Sequence, residues 1–276
     1  MNVFSSFFNV FQCPIYKIQT CLQVSTLSAI LLALLGYRLR RAGVLYKAVC
    51  QKLNKKKILG VLAGEDFPPE RLSDWVLSAD YVFAADSAAD TLNLLGLVPG
   101  TTVGDLDSIS ETGKACQLEL LEIHDQDSTD CDKLLELASE RGYSEISLIG
   151  VEGDLLDHVL GTLLSAARAT IDVTLILRRG FAQILNGPVE VQMTLPDATR
   201  LSVMPVTSCE DVTIEGTVWP LSGASLSPMG LTSLSNRASG HVRIRIGIGV
   251  AILFLAHPEL EHVDWEIARV EHISQS

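Results

Sequence analysis

Three common active-site signatures are missing from this 276-residue chain. No GxxxxGK[ST] loop cradles phosphates, no GxGxxG follows a strand-like run, and no GxSxG elbow presents a serine nucleophile, so P-loop, dinucleotide-fold and hydrolase readings are set aside. The six cysteines form no CxxC pair and the six histidines stand at no metal-ligand spacing, which removes structural zinc. We expect reduced thiols of a cytoplasmic protein, with Cys131 in the core. Aromatics are scarce at 6%, and the 20 glycines and 10 prolines follow no period, which excludes a fibrous chain. At 47% hydrophobic, the chain can bury one large core or two modest ones.

Acidic residues are absent from residues 1–57, which carry nine Lys or Arg. The remainder holds 12 basic and 33 acidic side chains, so a segment at +9 precedes a body at −21. A net charge of −12 speaks against a nucleic-acid partner, since phosphate backbones need a basic face. The apolar run at 27–37 is shorter than the roughly 20 residues of a membrane span. Polar Gln23, Ser25 and Thr26 precede it, so membrane attachment through 22–41 is not the expected reading. Arg38, Arg40 and Arg41 follow the run, whereas a signal peptide carries its charge first. An anchor, a targeting segment and sequence upstream of the true start all stay open; no methionine lies between Met1 and Met193. Residues 1–57 are expected to lie outside the fold.

From residue 58 the texture changes. Residues 58–63 form a continuous apolar run, as a strand buried on both faces should. Pro68 and Pro69 open a helix, residues 81–85 read as a second strand, and a short helix follows. The clearest helix spans 129–141: Cys131, Leu134, Leu135 and Ala138 make one apolar stripe, Ser128 or Thr129 caps it, and Gly142 ends it. A strand at 146–149, a helix with Leu160, Leu163, Leu164 and Ala167 inward, and a strand at 173–177 complete a strand–helix–strand alternation that implies a parallel sheet. After about residue 182 the pattern alternates with period two, as at Val189, Val191, Met193 and Leu195. The expected architecture is an α/β domain with a parallel sheet over 58–182, followed by an all-β sandwich over 183–276.

Aspartates at strand ends carry the chemistry. GDLDS at 104–108 follows a strand-like 101–103, and in extended chain Asp105 and Asp107 project to one side. The string DQDSTDCDK at 125–133 leads into the clearest helix and puts Asp127 and Asp130 on its first turn. Such hard oxygen donors suit Mg²⁺, and parallel sheets bind ligands at the carboxyl ends of their strands.

GDLDS, then DQDSTDCDK about twenty residues on, then LDH at 156–158, resembles the thiamine pyrophosphokinase family, as does a TVWPL segment at 217–221 followed by Ser235-Asn236. The resemblance covers roughly residues 58–256. It implies pyrophosphoryl transfer from ATP to thiamine with Mg²⁺ on Asp105, Asp107 and Asp130, these three being the catalytic residues. It places Asp86, Gln126, Asp127, Thr129, Lys133 and Asp157 around the nucleotide, Trp219 against thiamine, and Ser235 and Asn236 in a loop closing the thiamine pocket across a homodimer interface. An indole face suits stacking on a pyrimidine or a cation.

The chain departs from the family twice. Ser87-Ala88 stands where relatives carry a glycine pair, and Leu155 where relatives carry an arginine, with Arg178 or Arg179 as the cations left nearby. Leu155 motivates one rival reading, a catalytically impaired thiamine sensor; the other is a pyrophosphokinase of the same fold acting on another hydroxymethyl heterocycle such as a pterin.

Overall fold

The computed structural model describes residues 56–63, 67–153, 155–256 and the backbone of 271–272. Residues 1–55, including the apolar run, lie outside the described residues. Among the described residues no helix is long and apolar enough to cross a membrane.

The first half alternates strand and helix: β1 (Ile58–Val61), α1 (Pro69–Ser78), β2 (Tyr81–Ala85), α2 (Asp86–Leu94), β3 (Thr101–Gly104), α3 (Glu111–Ala115), β4 (Leu120–Glu122), α4 (Asp130–Glu140), β5 (Glu145–Ile149), α5 (Leu156–Arg168) and β6 (Asp172–Leu177). The six strands pair in parallel in the order β6-β5-β1-β2-β3-β4. Alternate residues feed opposite faces, as a sheet covered on both sides requires. Ile58, Phe83, Ile146 and Leu148 pack with Leu134, Ala138 and Ala166 of α4 and α5. Leu59, Val61, Val82 and Ala84 pack with Leu72, Trp75, Ala88 and Leu92 of α1 and α2.

Among the described residues the second half is all β: β7 (Gly180–Asn186), β8 (Val189–Thr194), β9 (Arg200–Pro205), β10 (Cys209–Thr217), β11 (Leu221–Leu226), β12 (Ser233–Ile246), β13 (Val250–Ala256) and β14 (Glu271–His272). β7 turns back antiparallel on β6, and β13, β9 and the start of β12 continue the same sheet. β12 then crosses into a second layer, where it pairs β8 and β10. Between the layers Leu185, Leu201, Val203 and Leu253 meet Val191, Val212, Ile214, Val242 and Ile244. This is the sandwich that period-two patterning implied. Gly216, with φ +70°, marks a bulge in β10, where a Cβ would collide with the carbonyl oxygen of His241.

One helix face differs from expectation. On α5 the inward stripe runs through Val159, Leu163 and Ala166. Leu160 and Leu164 point outward, 56% and 39% exposed, in line with Leu156 at 83%. The alternative stripe, one residue earlier, satisfies the same helical period, so sequence spacing alone does not choose between them.

Candidate active site

β2 and β3 end side by side, and their carboxyl ends carry the acidic residues. Asp86 opens α2 directly after β2 and is fully buried. Gly104 lets it in: a Cβ there would lie 2.5 Å from the Asp86 carboxyl carbon. One Asp86 oxygen, Oδ2, accepts the backbone N–H of Leu106 at 2.8 Å. The other, Oδ1, has no hydrogen-bond partner. Burial, reinforced by the charge of Asp130, pushes the Asp86 carboxyl up to about 6.

Asp105 and Asp107 converge with Asp86, ligand oxygens of all three lying within 4.8 Å of one another. Simple pleat alternation does not produce this convergence. The strand stops at Gly104, and Leu106 takes a left-handed conformation, φ +63°, with its side chain packed against Ala89 and Ile109. That turn delivers the Leu106 N–H to Asp86. Sequence reasoning missed it because leucine, unlike glycine or asparagine, gives no signal of positive φ. Asp105 accepts Gln126 Nε2 at 3.2 Å, and this bond, with the Asp107 N–H, holds its carboxyl below the usual range.

The converging trio thus contains Asp86, which the sequence placed at the nucleotide, where the expected metal set had Asp130. Asp130, on the first turn of α4, pairs instead with Lys133 at 3.2 Å. Lys133 is 4% exposed, so the cluster has a buried cation beside it. Thr129 is occupied as a cap: it accepts the Asp132 N–H, while Asp132 accepts the Thr129 N–H in return, and Asp132 also pairs with Arg168 at 2.9 Å. Asp127 is exposed in a turn held by Asp125, and Asp157 is exposed on the first turn of α5. Neither is among the converging carboxylates.

The two departures also find a place. Ser87 donates from its hydroxyl to the Leu62 carbonyl at 3.0 Å, tying α2 to the end of β1. Leu155 is 66% exposed at the N-cap of α5. Arg178 is engaged by Glu152, through its backbone N–H and a guanidinium contact at 3.8 Å, and Arg179 is exposed in the same turn.

The remaining expected residues lie in the sandwich. Trp219, between β10 and β11, is 58% exposed and not a core residue. Ser235 has φ +59° and accepts Arg200 Nε at 3.1 Å, while Asn236 is buried. In the sheet order, β1, β5, β6, β7, β13, β9 and β12 stand between β2 and β10. Seven strands of that order thus separate the strand that precedes Trp219 from the strand that leads into Asp86.

Three oxygen-donor carboxylates in a ring, one with a buried unpartnered oxygen, form a fitting seat for a divalent cation such as Mg²⁺. Beside a rim of parallel strand ends, that seat suits chemistry on a phosphate chain.

Comparison with known proteins points the same way. The family model described as "Thiamin pyrophosphokinase, catalytic domain" matches residues 72–176, and "Thiamin pyrophosphokinase, vitamin B1 binding domain" matches 189–251. The thiamine pyrophosphokinase of Bacillus subtilis (strain 168) is 27% identical over 161 residues, covering 55% of this chain and 75% of that protein. A crystal structure of the thiamine pyrophosphokinase from Bacillus subtilis superposes with a TM-score of 0.61 at 23% identity, covering 73% of this chain and 99% of that one. The thiamin pyrophosphokinase of Candida albicans gives 0.62 at 12% identity, covering 74% and 90%.

Proposed function

The chain belongs to the thiamin pyrophosphokinase family, and on that footing we propose that it transfers a pyrophosphoryl group from ATP to thiamine, giving thiamine diphosphate and AMP. The observation that carries the mechanism is the convergence of Asp86, Asp105 and Asp107, with Asp86 Oδ1 buried and unpartnered. These three would hold Mg²⁺, with Asp130 contributing its charge from α4. A bound Mg²⁺ would supply charge neutralisation on the phosphate oxygens. The protein's own part is positioning. Gln126 fixes the carboxylate of Asp105, the Leu106 N–H fixes that of Asp86, and Lys133 keeps the acidic ring from being uncompensated. Asp127, Thr129 and Asp157 flank this rim, where the nucleotide would lie.

The direct test is product analysis with ATP, Mg²⁺ and thiamine. AMP and thiamine diphosphate formed in equal amounts, and only when thiamine is present, support the proposal. AMP release driven by a hydroxymethyl pterin instead, or thiamine binding without turnover, would replace it with one of the two rival readings.

We further place the working site between two copies. Trp219 and Ser235 sit in the sandwich while the carboxylates sit at β2 and β3, seven strands away in the sheet order, and a second copy would bring its indole to the phosphate end. The outward leucines of α5, Leu156, Leu160 and Leu164, begin at the same rim and offer an apolar surface for that contact. Light scattering is expected to give a dimer. Leu160→Glu should yield a folded monomer whose KM for thiamine is raised by up to about tenfold, the loss of one stacking contact. A monomeric wild-type protein with full activity at low concentration would exclude the shared site. The three described cysteines are free thiols, in keeping with a cytoplasmic location.

A further inference from the structure

Asn236 was expected to touch substrate, yet its side chain has nothing left to offer one. It is 2% exposed. Its Oδ1 accepts the backbone N–H of Trp219 at 3.1 Å and that of Arg237 at 2.9 Å. Its Nδ2 donates to the Trp219 carbonyl at 2.7 Å, to Thr217 Oγ1 at 3.2 Å and to Ser233 Oγ at 3.4 Å. A carboxamide has two N–H donors and one acceptor oxygen, and here all are spent inside the chain.

The pattern of these bonds points to what the residue does. One side chain grips both the N–H and the C=O of Trp219, as a neighbouring strand would, at a position where β10 has ended and β11 has not begun. The grip reaches Trp219 because Ser235, in the left-handed region, shifts the register of β12 against β9. Ser235 is itself fixed by donation of its N–H to Ser202 Oγ at 2.9 Å. The indole that results is exposed on a backbone that is not free to move. An exposed side chain on a fixed backbone loses little conformational freedom on binding, which is how preorganisation raises affinity.

We infer that Asn236 is a positioning residue for thiamine recognition, acting entirely through the backbone of Trp219 and not by contact with the substrate. The inference rests on the proposed packing of Trp219 against thiamine, and the two can fail separately.

The test is a double-mutant cycle on the full chain with Trp219→Ala, Asn236→Ala and the pair, reading KM for thiamine and for ATP. Each single substitution should raise the thiamine KM roughly tenfold, the worth of a stacking contact, and leave the ATP KM in place. In the Trp219→Ala background, Asn236→Ala should add less than about twofold, because the group it acts through is gone. Multiplicative effects would mean that Asn236 contributes independently and would overturn the inference. Acrylamide quenching of tryptophan fluorescence supplies a second readout that does not depend on thiamine. Asn236→Ala should increase quenching above wild type, and that increase should vanish when Trp219 is absent; unchanged quenching overturns the inference. If Trp219→Ala leaves the thiamine KM unaltered, the substrate role of Trp219 falls, and the quenching result still decides whether Asn236 holds it. Should Asn236→Ala not fold, Asn236→Asp keeps the shape and the acceptor oxygen while losing the donor, and the same cycle and quenching criteria apply to it.

Discussion

Asp105→Asn and Asp107→Asn each lower kcat by at least about 10²-fold while the protein stays folded, the scale expected when one group stabilising transition-state charge is lost. The amide matches the carboxylate in size, so packing is unchanged; what disappears is a negative charge beside the cation seat. Neither residue belongs to a hydrophobic cluster, and Asp107 is exposed, so the substitutions remove little that the fold depends on. Asp105 is the cleaner probe. Its carboxyl is held low by the Gln126 amide and then by the Asp107 N–H, so it is ionised at neutral pH and its full charge is lost on substitution. Raised Mg²⁺ should recover part of the rate in both variants, since weakened affinity is compensated by mass action. Glu111→Gln is the control: Glu111 is exposed, pairs with Lys114 at 3.0 Å on α3, and should turn over normally. Near-normal turnover of both Asp variants at low Mg²⁺ would place the metal elsewhere and remove this mechanism.

The parallel sheet was readable from sequence because β1 and β2 are buried apolar runs and α4 has a single unambiguous stripe from Cys131 to Ala138, whereas β4, the short edge strand Leu120–Glu122, carries no such run. The cap was legible only as Ser128 or Thr129; the reciprocal bonds with Asp132 give it to Thr129. What the sequence hid depends on contacts far along the chain. Asp86 looks like an ordinary helix-opening acid; only the pairing of β2 with β3 brings it to Asp105, 19 positions later, and only Gly104 makes room for it. Asn236 and Trp219 are 17 apart, joined by a bulge whose left-handed Ser235 leaves no mark in the pattern. On α5 the ambiguity was physical. Leucines stand both on the core-facing stripe and beside it, as happens when a helix has a second apolar face to cover.

Asp86→Asn separates stability from function most sharply. The carboxyl is fully buried, and its folded value of about 6 stands above the ordinary 3.8, chiefly from lost hydration and next from the charge of Asp130. Between those two values the folded protein holds a proton that the unfolded chain has released. Stability therefore falls as pH rises through that window, and the full cost of an ionised Asp86 is present above about pH 6. The shift caps this cost at about 3 kcal/mol. In metal-free buffer near pH 7, Asn removes that cost and its carbonyl can still accept the Leu106 N–H. Tm should rise by roughly 2–4 °C per kcal/mol gained in a chain of this size. Lowering the pH toward 5 should erase the difference, because wild-type Asp86 then becomes neutral. Glu119, held low by Thr101 and then Arg141, and Glu190, held low by Arg243, stay ionised in both proteins over this range and cancel from the comparison. Adding Mg²⁺ should reverse the ranking. The wild type gains stability by binding through its buried oxygen, the variant gains far less, and its turnover falls with that of the Asp105 and Asp107 variants. A metal-free Tm for Asp86→Asn below wild type at pH 7, or an undiminished Mg²⁺ response, would mean that Asp86 is paired with something other than the cation seat.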